Sequence, residues 1–320
     1  MTALFTQGIR RVTAKPWIWA FLGAFLVWFS TIVYTGGTGA GAILSAALSF
    51  ATFSVIVGIG QMYVITLGPG NVDLSIPATM TFAGAVSMKI MDTQDPMILP
   101  GLGIALLCGT AVGIFNYALI RLLRIPPIIA TLSSSFLVQS CAIAYGRGLK
   151  IKPPELLADF TTVKIAGLPL LALCVIALAA IMSMVLHRTV FGRSVLAIGQ
   201  NPRAAELAGV KVGFIRFATY TQSGILAGLC GYLLAGFSGG ASLNMGAEYL
   251  LASIAVVVIG GTSVAGGFAN LPGLWGAALF MFLLVTMLNT FGLSAGIRLL
   301  LTGVIIVAVI TLAGGRRNNH

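Results

Sequence analysis

The chain has 320 residues, of which 58% are hydrophobic and only 8% charged, with a formal net charge of +11. A soluble domain carries about 25% charged residues, so this composition rules out a globule with a water-facing shell. The basic residues are scattered through short segments without interleaved aromatics, which argues against nucleic-acid binding.

The apolar stretches are long and unalternated, as in 170–186 and 274–288. A membrane strand alternates over ~9–11 residues, whereas a membrane helix needs ~20 apolar ones and pairs its backbone within the segment. The expected fold is therefore all-α, a polytopic bundle of about ten spans. These are placed at 17–34, 43–67, 74–91, 97–120, 126–145, 165–187, 214–237, 249–266, 273–291 and 297–313. Arg10, Arg11 and Lys15 precede the first run in the manner of a signal peptide. That run is long and lacks a small-x-small cleavage site, so it reads as an uncleaved span. Pro77 and Lys89 fall within the third segment and mark it as broken or re-entrant.

Ten spans put both termini on one side. With the N-terminus inside, Arg10, Arg11, Lys15, Arg121, Arg124, Arg188, Arg193, Arg203, Lys211, Arg216, Arg316 and Arg317 face inward. Lys89, Arg147, Lys150, Lys152, Lys164 and Arg298 face outward, a bias that favours both termini inside. Asp92, Asp95, Glu155, Asp159 and Glu248 fall in outer loops on this reading. The 40 glycines suit close helix packing in lipid, and Gly224, Gly228, Gly231 and Gly236 form one small-residue face. Cys108, Cys141, Cys174 and Cys230 sit in apolar runs without metal-ligand spacing and read as packing residues. His187 and His320 are far apart, which speaks against a histidine-centred site.

Three stretches carry more than packing. The first runs from Gly68 through Pro69, Gly70, Asn71, Val72, Asp73 and Leu74 to Ser75, with Pro77 beyond. It joins two apolar segments without a polar loop. Backbone left unpaired at membrane depth survives only inside protein or beside a wet cavity, and transporters line substrate paths with such breaks. Asp73 is either a functional intramembrane acid or an N-cap for the next helix, and the two roles are compatible.

The second is the segment 188–216. Asn201 followed by Pro202 is a cap with proline at the first helical position, Arg203–Ala208 favours a short helix, and Gly209 stops it. Such a helix either docks into a soluble partner or lies on the lipid headgroups. The third stretch, 260–273, is again rich in glycine with a proline near its end and resembles the first in chemistry, which suggests an internal duplication. It has no lysine and is not a phosphate-binding loop.

Taken together, the Gly70–Ser75 segment, the run Gly199-Gln200-Asn201-Pro202-Arg203-Ala204-Ala205, Ala208-Gly209-Val210, and Gly260-Gly261-Thr262-Ser263 with Gly266-Gly267 resemble the permease subunits of bacterial ribose/xylose/galactose-type importers powered by ATP hydrolysis. The resemblance runs from about Ser45 to Arg317. Asn71, Val72 and Pro77 depart from the family's usual residues. The resemblance implies a single permease domain over residues 1–320 in the bacterial inner membrane, with a cytoplasmic coupling loop at about 188–216. It implies a second permease subunit, two cytoplasmic ATPase subunits that hold ATP and magnesium, and a soluble binding protein that delivers a sugar. No cofactor is expected in this chain, and it is not expected to be an enzyme.

On that resemblance Asn201, Pro202, Arg203, Ala204, Glu206, Leu207 and Gly209 couple to the ATPase. An uncharged polar solute needs hydrogen-bonding groups rather than ion pairs, so Gly70, Asn71, Asp73, Ser75, Asn116 and Asn289 are assigned to the substrate path, with Ser133 and Gln139 as further candidates. Interhelical hydrogen bonding is the competing role for each. The related branched-chain amino acid permeases are the alternative within transport. A self-contained secondary transporter would need intramembrane acids, of which Asp73 alone qualifies, and a membrane enzyme would need a convergent acid/base set.

Overall fold

The computed structural model describes residues 16–148 and 151–314. Arg10, Arg11, Lys15, Lys150, Arg316, Arg317 and His320 lie outside the described residues. The helices are α1 (Pro16–Tyr34), α2 (Ala40–Thr66), α3 (Ile76–Met91), α4 (Ile98–Leu122), α5 (Pro127–Gly146), α6 (Glu155–Thr162), α7 (Leu170–Arg188), α8 (Val190–Gln200), α9 (Pro202–Leu207), α10 (Val212–Phe237), α11 (Tyr249–Ile259), α12 (Leu271–Thr290) and α13 (Ala295–Gly314). A short antiparallel hairpin, β1 (Lys164–Ile165) with β2 (Leu168–Pro169), joins α6 to α7. Ala166 and Gly167 make its turn, both at positive φ, as a two-residue hairpin turn requires.

Among the described residues six helices are long and apolar enough to cross a membrane: Trp17–Tyr34, Ala40–Thr66, Asp95–Leu122, Pro127–Gly146, Leu170–Arg188 and Leu271–Thr290. The chain is thus an all-α, multi-pass membrane protein. The other expected crossings fall on α3, α10, α11 and α13. Of these, α3 has 16 residues and α11 only 11. At 1.5 Å per residue, α11 reaches about 16 Å, half of a hydrocarbon core of about 30 Å. The expected eighth span at 249–266 therefore stops early, because Gly260 and Gly261 end the helix.

The middle of the bundle is α2. From Phe53 to Thr66 all but one of its residues are buried, as expected for a helix apolar on every side. It packs on α10, α11, α12 and α7, while α10 packs on α4 and α3, and α1 lies against α12. The closest seam joins α4 to α10. A Cβ added at Gly109 would stand 2.1 Å from the Gly224 carbonyl oxygen, and one at Gly224 would stand 2.2 Å from that of Gly109. Gly113 faces the Tyr220 carbonyl and Gly228 that of Ala105 in the same way. Spaced four apart, these residues let two backbones meet directly, which is how helices gain contact in lipid, where burial from water drives nothing.

Three boundaries differ from the sequence reading for local reasons. The third crossing is continuous once it starts at Ile76; the break lies ahead of it, at 67–75. The 188–216 segment holds two helices rather than one, because Thr189 caps α8 by accepting from the Gly192 amide and Phe191, Val195 and Ile198 face inward at helical spacing. Finally, 241–248 is not an outer loop carrying Glu248. It folds back beside α3, as described below.

Candidate functional site

The bundle end where α2 and α7 finish and α3, α5, α10 and α12 begin also carries α9. Two structures are built there, a buried polar knot and a glycine contact.

The knot centres on Asp73, which is 2% exposed. Its Oδ1 accepts from the Ser75 amide at 3.0 Å and the Ser75 hydroxyl at 2.6 Å, and its Oδ2 accepts from the Ser223 hydroxyl on α10 at 2.7 Å. Asn116 on α4 donates to Ser75 Oγ at 2.7 Å and reaches Asp73 Oδ1 at 3.5 Å. The Asp73 amide donates to Gln61 Oε1 on α2 at 3.2 Å. These donors replace the water that a carboxylate loses on burial. Alongside, Thr131 on α5 accepts from the Leu74 amide at 3.1 Å and donates to the Val72 carbonyl at 3.0 Å. Tyr220 on α10 donates to Asn71 Oδ1 at 3.2 Å. The break at 67–75 is thus tied to four helices by side chains that satisfy its unpaired backbone. Asp73 closes a turn onto Ser75, which is itself the N-cap residue of α3.

The glycine contact joins all three stretches singled out in the sequence. The Gly267 amide donates to the Thr66 carbonyl at 3.0 Å. A Cβ at Gly199, the penultimate residue of α8, would stand 1.9 Å from that same oxygen and 2.3 Å from the Gly267 nitrogen. A Cβ at Gly266 would stand 2.5 Å from the Gly68 Cα. The end of α8 is therefore wedged between the two helix breaks. Near its other end, Phe191 stacks on Tyr63 of α2 at 6.2 Å, and the Tyr63 hydroxyl donates to the Met182 carbonyl of α7 at 2.6 Å.

From this anchored helix the chain enters α9. Asn201 Oδ1 accepts from the Arg203 and Ala204 amides, both at 3.0 Å. Gly209 takes φ 86° and the Val210 amide returns to the Ala205 carbonyl at 3.0 Å, which seals the C-terminus. Ala205 is buried, whereas Arg203, Glu206 and Leu207 are exposed, Leu207 at 84%.

The structure brings Asn71, Asp73, Ser75 and Asn116 together and leaves Gly70 exposed beside them. Asn289 is far off, exposed near the C-terminus of α12, where it accepts from Arg298. Ser133 is exposed on α5, and Gln139 donates to the Leu243 carbonyl at 2.8 Å. The knot members missed from sequence are Gln61, Thr131, Tyr220 and Ser223. A signal existed for Gln61, the one amide side chain in an otherwise apolar helix, and for the polar run 219–223 within α10. A cavity of about 500 Å³ opens between α2, α4, α6, α7 and α10. Its lining is apolar apart from Tyr232, whose hydroxyl is committed to the Ile98 carbonyl, so it offers nothing to a polar solute.

A family model described as branched-chain amino acid transport system / permease component matches residues 43–310, which takes in both breaks, α8 and α9. The chain belongs to that family. Among curated relatives of this permease family, the ribose import permease protein RbsC of Bacillus subtilis (strain 168) is 30% identical over 261 residues, 80% of each chain. The autoinducer 2 import system permease protein LsrC of Enterobacter sp. (strain 638) is 30% identical over 284 residues, 86% of this chain and 82% of the relative. The fructose import permease protein FrcC of Rhizobium meliloti is 29% identical over 270 residues, 80% of this chain and 73% of the relative. No solved structure matches the chain. As a permease component, the chain is the membrane-embedded part of a transport system.

Proposed function

We propose that the chain forms one half of the pore of an ATP-driven importer in the bacterial inner membrane, and that its solute is a small sugar or a similar polyol. The observation that carries this reading is the α8–α9 unit. A capped, exposed short helix joins a helix wedged against both backbone breaks, so a push on α9 is delivered where the bundle is least regular. Rigid elements that shift against bistable packing are the usual means of alternating access.

The ATPase pair, the second permease subunit and the binding protein are carried over from the resemblance. Asn201, Pro202, Arg203, Ala204, Glu206, Leu207 and Gly209 form the docking element. Asn71, Asp73, Ser75 and Asn116 hold the break at 67–75 in the shape that borders the path, and Gly70 presents its backbone there. Ten crossings, with the α9 end inside, account for Arg121, Arg124, Arg188, Arg193, Arg203, Lys211 and Arg216 gathering at that end.

The family description names branched-chain amino acids, whereas the relatives above are named for ribose, fructose and autoinducer 2. The Asp-Leu-Ser and Gln-Asn-Pro segments favour the sugar reading. The test is co-purification from native membranes through a C-terminal tag, with uptake of labelled D-ribose and D-fructose. An ATPase subunit should accompany the wild type and be lost from the Arg203→Ala, Glu206→Ala double variant. A lone chain whose uptake persists without ATP refutes the reading.

A further inference from the structure

The segment between α10 and α11 turns back into the bundle. Gly240 lies near the Ile151 carbonyl, at the end away from α9. From there the Leu243 carbonyl accepts from Gln139 of α5, and the Met245 side chain packs over Gly84 of α3. The Gly246 amide donates to Thr81 Oγ1 at 3.3 Å. A Cβ at Gly246 would stand 2.1 Å from the carbonyl oxygen of Pro77, the second residue of α3. Along α3, Pro77 is about 20 Å from Met91 at 1.5 Å per residue. Residues 241–248 thus lead, without regular helix, to the start of α3, far from its Met91 end. Only then does the half-length α11 begin.

Asn244 and Glu248 are both exposed on this segment, with Glu248 just beyond the Gly246 anchor. A carboxylate facing acyl chains is costly, and irregular backbone in the hydrocarbon layer is tolerated only inside protein or beside water. The face that bears these two groups is therefore turned away from lipid, toward the pore that two permease subunits enclose. The chemistry on this segment is a carboxylate with two acceptor oxygens and, four residues before it, an amide that both donates and accepts, with no basic group in the segment to draw an anion. Such a pair suits the adjacent hydroxyls of a neutral polyol.

We propose that Glu248, with Asn244, is a solute-binding station, the point in this chain where a sugar's hydroxyls are read directly. The proposal rests on the importer reading for the identity of the solute. It assigns the contact with solute to the 241–248 segment rather than to the buried knot around Asp73.

The experiment uses the intact transporter in vesicles, with labelled D-ribose and D-fructose as probes. Glu248→Gln is isosteric and exposed, so assembly with the ATPase should be kept. Uptake of whichever probe is carried should fall at least about tenfold, the loss expected for a charge-assisted hydrogen bond. In parallel, a charged, water-soluble thiol reagent is applied to Glu248→Cys and Leu251→Cys, and a water-soluble carbodiimide to the unaltered protein. Glu248 and its cysteine replacement should react, with the carried probe slowing the reaction. Labelling of Leu251→Cys sets the background for a lipid-facing neighbour.

Failure of both reagents at position 248 overturns the proposal, as does labelling that solute leaves unaltered together with normal uptake by Glu248→Gln. Labelling of 248 in a wild type that imports neither probe would instead count against the sugar reading and keep the aqueous face.

Discussion

Replacing Asp73 with alanine removes the acceptor of three short hydrogen bonds, from the Ser75 amide, the Ser75 hydroxyl and the Ser223 hydroxyl. In water-soluble proteins a bond to a charged group is worth about 1.5–3 kcal/mol. In membranes such interactions average about 0.6 and reach about 1.7 kcal/mol, because the unfolded helix in lipid also finds partners. Three bonds on the membrane scale come to roughly 2–5 kcal/mol. Removing a buried charge offsets part of this. The expected net loss for Asp73→Ala is about 3 kcal/mol. Asp73→Asn should behave differently. Its carbonyl oxygen can still serve Ser75, and the Ser223 hydroxyl can turn from donor to acceptor. Its expected cost is about 1 kcal/mol or less. The assay is unfolding of the purified protein in mixed micelles with rising denaturing detergent, followed by helix content. Equal stability of the wild type and Asp73→Ala would refute the view that the carboxylate ties the break to α10.

Other outcomes follow from the packing and the caps. Gly109→Ala forces a Cβ to within 2.1 Å of a carbonyl on α10 and should cost about 1–3 kcal/mol by overpacking, whereas Gly103→Ala on the same helix meets nothing within 4 Å and should be neutral. Thermal midpoints in one detergent compare the two. Asn201→Ala deletes the cap of α9 at a cost of about 1 kcal/mol, which should appear as faster amide exchange over 202–208 with little change elsewhere. Gly199→Ala should push α8 off the Thr66–Gly267 contact, so that uptake falls while co-purification with the ATPase is kept; unchanged uptake would deny α8 any part in transmission.

The class of this protein is set by one-dimensional features. Long unalternated apolar runs can only be membrane helices, since lipid offers no partner for an unpaired backbone group. The cap, proline and stop of α9 were legible for the same reason, because Asn201, Pro202 and Gly209 act on amides within eight residues of themselves. α8 was within reach through the spacing of Phe191, Val195 and Ile198, although its apolar face is short. The pairing of distant groups was not legible. Nothing near Asp73 in sequence points to Ser223, 150 positions away, and nothing near Gly199 points to Thr66 or Gly267. Those contacts depend on which helices lie side by side, and that is decided by the glycine seams that let α4, α10 and α3 close up. The path of 241–248 was likewise hidden. Glu248 follows a polar, glycine-rich stretch that reads as an outer loop, and only the tertiary structure sets Gly246 against Pro77 at the start of α3.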